Sequence, residues 1–185
     1  MKSGPVASPQ NIGFTFMRKL ILKQIDKQER ALGASLEWLR ALVSASLPAF
    51  FKFMLFAPFG NHRQRVPRNA WYVARLAATL HEDCGSSAQS VVNLARKDSV
   101  SRVLVNAVMH DQPERLSDEL ADVYHFTRSV LRQTDDGALR ETLRSRYGEQ
   151  GLVELALAIA TARIIPTTKR ALGYAQSCAL MRAAA

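Results

Sequence analysis

Apolar residues in this chain recur every three or four positions, and no stretch alternates apolar and polar residues over a strand's length between turn dipeptides. That spacing sets apolar side chains along one face of a helix, whereas a strand would need a period of two. Phe14, Met17, Leu20, Ile21 and Ile25 form one such stripe, and Leu32, Leu36, Leu39 and Val43 form another. With 185 residues the chain can bury one sizeable core and is too short for two with a linker. A single all-α domain over 1–185 is the expectation.

Prolines and glycines divide the helical pattern. Pro5, Pro9 and Gly13 predict a loose tail over 1–13. Helices follow from Phe14 and over about 29–46; Pro48 then breaks the second before a short apolar piece, Phe50 to Phe56, that Pro58 and Gly60 close. Residues 14–60 therefore read as an N-terminal helical addition to a core over 61–185. Within that core, helices are expected over about 68–82, over 88–97 with Ser86 or Ser87 as cap, from Ser99 or Ser101 through His110, and from Ser117 to about Gln133. Asp135, Asp136 and Gly137 open the next, ending near Tyr147 and Gly148. Residues 152–165 are apolar nearly all round except Glu154 and Arg163, which predicts a buried helix, and Pro166 is expected to open the last one.

The formal charge is +9 and is unevenly spread. Residues 1–80 carry net +9, residues 81–160 net −4 and residues 161–185 net +4. With 48% hydrophobic and 22% charged residues the chain is an ordinary packed globule, so any polyanion would have to meet a folded surface. The apolar stretches at 14–25 and 41–51 are interrupted by Arg18, Lys19 and Lys23 or end at Lys52, so neither a secretory signal nor a transmembrane segment is expected. Two cysteines, Cys84 and Cys178, stand far apart, which supports neither a disulfide framework nor a zinc site and fits a cytoplasmic protein. The four histidines show no metal-ligand spacing, so no metal and no cofactor is expected.

The chemistry-bearing run is Leu80 to Gln89, where Cys84 falls between the end of one helix and the start of the next. The positive N-terminal end of the second helix favours a thiolate there. His81 and Glu82 are close enough in sequence to handle its proton, and Ser87 and Gln89 to supply polar groups.

Val73-Ala74-Arg75-Leu76-Ala77 through His81-Glu82-Asp83-Cys84-Gly85-Ser86-Ser87-Ala88-Gln89 resembles the core of the carboxymuconolactone decarboxylase and alkylhydroperoxidase D-like family, whose members place Cys-x-x-Cys at this junction. The runs Arg146 to Leu155 and Lys169 to Tyr174 resemble the same family, so the likeness spans roughly residues 65 to 180. It implies an alkylhydroperoxidase D-like helical bundle associating as a homo-oligomer, commonly a trimer or a multiple. It also implies a small-molecule peroxide or organic acid as substrate, with an external thiol as reductant. The second motif cysteine is replaced by Ser87, and the family's relay Glu and His fall at Tyr72 and Val91. The resulting expectation is peroxide reduction through Cys84 alone, with His81, Glu82 and Ser87 as catalytic residues and Arg75, Tyr72 and Gln89 as substrate-binding ones. A carboxy-lyase would instead use His81 as acid and Arg75 as the carboxylate's partner; an inactive scaffold or nucleic-acid module is a third reading.

Residues 94–105 have the rhythm of a helix-turn-helix, but its second helix would run Arg102-Val103-Leu104-Val105-Asn106-Ala107, too apolar to read base edges. Phe50, Phe51, Phe53, Phe56 and Phe59, followed by His62, Arg63, Arg65 and Arg68, predict either packing of the addition onto the core or an apolar channel with a cationic mouth. Trp38 and Trp71 are expected as core anchors, and Cys178 on the buried side of the last helix.

Overall fold

The computed structural model describes residues 9–134 and 136–175, and these form helices with no strand among them. The order is α1 (Pro9–Leu32), α2 (Glu37–Ala45), α3 (Leu47–Met54), α4 (Phe56–Gly60), α5 (Arg68–His81), α6 (Gly85–Lys97), α7 (Arg102–Met109), a short 3-10 turn (Pro113–Arg115), α8 (Asp118–Leu131) and α9 (Gly137–Ala171). The expected all-α class holds. Residues 1–8, Asp135 and Cys178 lie outside the described residues.

Local chemistry explains most of the boundaries. The Ser46 hydroxyl accepts from the Ala49 amide at 3.3 Å with Pro48 in the first turn, so the proline starts α3 as well as ending α2. Ser101 Oγ caps α7 through the Val103 amide at 3.2 Å, and Asp136 Oδ1 caps α9 through the Leu139 amide at 3.0 Å. Asp118 and Glu119 in the first turn of α8 face its positive end.

Several boundaries differ from the sequence reading: α6 begins at Gly85 rather than near 88, and Pro58 and Gly60, expected to close the apolar piece, lie inside α4. Helix α1 begins at Pro9, inside the stretch expected to be a tail, and runs on to Leu32. The break falls at Gly33, whose φ of +60° only glycine adopts without strain and whose added Cβ would stand 3.1 Å from Asn93 Nδ2. Helix α9 spans what the sequence divides into three pieces: Gly148, at φ +73° and ψ 175°, kinks it, while Pro166 lies buried inside it.

Two apolar clusters result. In the main one α5 is central, packing on α6, α7, α8 and α9, and its Ala70, Ala74, Ala77 and Ala78 let neighbours approach from several sides. Leu76, Leu143 and Leu155 are fully buried there, each contributing about 2 kcal/mol. The second cluster joins α1, α2 and α3 through Ile25, Leu36, Trp38, Leu39, Val43, Leu47 and Phe50. Arg40 fastens the corner by pairing with Asp26 at 2.7 Å and with Glu29. This N-terminal layer meets the bundle where Asn93 Nδ2 donates to the Leu32 carbonyl at 2.6 Å and where α4 packs on α9. Phe16, Leu20, Phe51, Leu55, Phe56 and Phe59 leave much of the layer's outer side apolar and exposed.

Among the described residues one helix, α9, is long and apolar enough to cross a membrane by length and composition. It packs on α4, α5 and α8 and buries Glu154 and Lys169, while Val153 and Ile165 are exposed, so the helix expected to be buried over 152–165 is buried on one face only. The apolar face of α7 is likewise spent on packing, with Leu104, Val105, Ala107, Val108 and Met109 buried and Arg102, Val103 and Asn106 exposed.

Candidate functional site

Asp83, at φ +47°, turns the chain out of α5, and Cys84 in extended conformation becomes the N-cap of α6. The thiol is thereby set at the first turn of a helix whose amides point toward it. Its Sγ lies 3.1 Å from Ser87 Oγ and 3.8 Å from Ser86 Oγ. Cys84 is fully buried, with these two hydroxyls beside its sulfur.

The unforeseen member of the site is Lys169. It comes from the last turns of α9, is 3% exposed, and donates from Nζ to Ser86 Oγ at 2.5 Å. Burial alone would raise the Cys84 thiol; the hydroxyl and amide of Ser87, the Lys169 ammonium and the Ser86 hydroxyl outweigh it and hold the thiol below its ordinary range. Burial draws Lys169 down in turn, opposed by the charge on Cys84. Ser87 thus acts as a hydrogen-bond partner of Cys84.

Glu82 does not face the thiol. Its carboxylate receives Arg163 Nε at 2.5 Å and Arg170 Nη1 at 3.3 Å, with Thr167 Oγ1 at 3.4 Å, while its backbone carbonyl accepts from Arg170 Nη2. Burial would raise this carboxyl, but the two arginines bring it below the ordinary value. Glu82 is a clamp between the α5–α6 corner and α9. His81 is exposed, and burial, together with the charges of Arg128, Arg163 and Arg132, lowers its pKa against the pull of Glu82. The described contacts do not bring it to Cys84.

Tyr72 and Gln89 are used elsewhere. Tyr72 donates to Asp98 Oδ2 at 2.6 Å, tying α5 to the far end of α6, and burial followed by that carboxylate raises its pKa. Gln89 Nε2 donates to Asn93 Oδ1 at 2.8 Å and so steadies the amide that holds Leu32.

Arg75 does reach the site's surroundings. A crevice opens between the N-terminal layer and the bundle, and one cavity in it, of 130 Å³, is lined by Ser87, Lys169, Arg75 and Trp38 among others. Cys84 does not itself line that cavity, but its hydrogen-bond partner Ser87 does. The aromatic series also borders the crevice: Phe53 stacks edge-on to Trp38 at 5.5 Å and to Phe56 at 6.4 Å. Trp38 and Trp71 are buried, as expected of core anchors.

No group of three or more metal-ligating side chains occurs among the described residues. What the arrangement offers is a thiol whose ionised form is favoured by a helix N-terminus, two hydroxyls and a buried ammonium, beside a mainly apolar crevice. No protein-family model, curated protein or solved structure matches this chain.

Proposed function

We propose that the protein is an alkylhydroperoxidase D-like oxidoreductase that reduces peroxides through Cys84 alone, with an external thiol as reductant. The observation that supports this most is the Cys84 sulfur 3.1 Å from the Ser87 hydroxyl, with Lys169 hydrogen-bonded to Ser86 beside it. A thiolate is the form that attacks peroxide, and each of these groups favours it.

In the first step the sulfur bonds to the terminal peroxide oxygen as the O–O bond breaks, leaving Cys84 as a sulfenic acid. The departing alkoxide takes a proton from the Lys169 ammonium, directly or through a serine hydroxyl, and leaves as the alcohol. An external thiol then displaces water to form a mixed disulfide, and a second releases the Cys84 thiol and an external disulfide. The net change is one peroxide reduced to alcohol and water and two thiols oxidised to a disulfide. Such a cycle suits a reducing compartment. Because Cys84 is fully buried and does not line the crevice, the reaction also requires the groups covering its sulfur to move aside.

The carboxy-lyase reading has less support, since its proton donor, His81, is exposed and lies in the field of Arg128 and Arg132. Treatment with cumene hydroperoxide followed by dimedone is expected to label Cys84 and not Cys178, with loss of all peroxide consumption in Cys84→Ser. Equal, slow reaction of both cysteines would overturn the proposal.

A further inference from the structure

The crevice holds two cations withdrawn from water and gives neither a carboxylate. The Arg75 guanidinium lies 4.8 Å from the centre of the Trp71 ring, and its Nη1 donates to Asn61 Oδ1 at 3.1 Å. Its Nε is buried with no hydrogen-bond partner. Nε and the adjoining Nη2 make up the edge of the fork that grips a carboxylate side-on, so the unpaired atom belongs to a recognition edge. Lys169, almost wholly buried, has the Ser86 hydroxyl as its hydrogen-bond partner and no ion pair with any carboxylate among the described residues.

Both cations line the 130 Å³ cavity, whose other walls include Leu32, Leu36, Val91 and Leu94. That cavity shares Leu36, Trp38, Arg75 and Ile165 with a neighbouring one of 180 Å³, bordered by Phe53, Met54 and Phe56. No acidic residue lines either one; Lys169 also borders a third cavity, of 170 Å³, whose wall includes Glu37, but the two form no ion pair. A buried charge is costly unless it is paired, and elsewhere this fold pairs its own: Glu82 has two arginines and Glu154 two backbone amides, whereas Arg75 has no acidic partner and Lys169 has only the Cys84 thiol. A cationic edge opening on an apolar passage fits a ligand with one anionic end and one oily end.

We infer that the crevice between the N-terminal layer and the bundle binds a medium-chain carboxylate, its head held between Arg75 and Lys169 and its chain lying past Trp38 toward Phe53 and Phe56. The inference goes beyond the thiol chemistry and stands without it. If both hold, a hydroperoxide of such an acid is the substrate class that the crevice would bring up to Ser87.

The test is a tryptophan-fluorescence titration of the full chain, as wild type and as Cys84→Ser, with decanoate below its micellar range and with decanol as the neutral control. Trp38 in the cavity wall supplies the signal. Saturable binding of decanoate to both proteins is expected, about tenfold tighter than decanol, the worth of one charge-assisted contact. Arg75→Met should weaken decanoate by about tenfold and leave decanol unchanged, with a circular-dichroism spectrum like that of the wild type. Equal binding of decanoate and decanol, or no saturable binding of either, would overturn the inference. Because Cys84→Ser has no peroxide chemistry, binding to it reports on the ligand site whatever becomes of the peroxidase reading.

Discussion

Glu154 and Lys169 lie on the same helix and are both withdrawn from water, yet their surroundings are opposite. Glu154, fully buried, accepts from the backbone amides of Arg65 and Val66 at 3.0 and 2.9 Å and so holds the turn that leads into α5. Burial would raise its carboxyl, but the amides of Val66, Arg65 and Gln64, with His62 nearby, bring it below the ordinary value. Lys169 has one hydroxyl, one thiol and a cavity. A buried charge whose bonding capacity is filled by the backbone serves the fold. One left half-filled beside a nucleophile and an open space has capacity to spare for chemistry.

Stability measurements should separate the two most widely. Glu154→Ala strands two buried amides and is expected to lower the urea-unfolding free energy by about 3 kcal/mol. Lys169→Met removes a poorly compensated charge and should change it by less than about 1 kcal/mol, or raise it. Equal losses would erase the contrast. The order reverses for reactivity: Lys169→Met should slow alkylation of Cys84 at neutral pH by about tenfold and move the midpoint of its pH–rate profile up toward the free-thiol value of about 8.5. In the wild type that midpoint lies lower.

The pH dependence of folding sharpens the Glu154 side. Its folded-state pKa is depressed, so its contribution is fully present above the unfolded value of about 4.3 and is lost as pH falls through the lower folded value. Glu154→Gln should therefore flatten the acid limb of the stability curve. The smallest effect belongs to the joint between layers: Gly33→Ala, forced to a positive φ against Asn93, should cost about 1 kcal/mol in thermal unfolding.

The helices and the junction thiol could be read from the sequence because they are local. Periodicity marked α1 and α2, and a serine or aspartate stood at several later starts. Lys169 escaped because its partners, Ser86 and Cys84, lie on a helix far back in the chain. A signal for it existed nevertheless: extending the buried stripe of Leu155, Ile159, Ala162 and Pro166 by one step reaches Lys169. Treating Pro166 as a helix start hid that step. The helix continues through the proline because it is anchored on both sides, by Glu154 before it and by Arg170 on Glu82 after it. The same long-range pairing took Glu82 from the thiol, which nearness in sequence could not reveal. Arg75 was legible as a cation on α5, but the cavity it borders exists only once the N-terminal layer is folded over it.

The grip on Glu82 has a mechanical consequence. Arg163, Thr167 and Arg170 hold that residue from one stripe of α9, and Lys169 precedes the last of them by a single position. The corner carrying the thiol and the helical turn carrying the ammonium thus behave as one gauge block, whose internal spacing is set by α5, α6 and α9 alone. Much of the crevice wall comes from α1, α2 and α3, so substitutions there can reshape what the protein admits without retuning the sulfur.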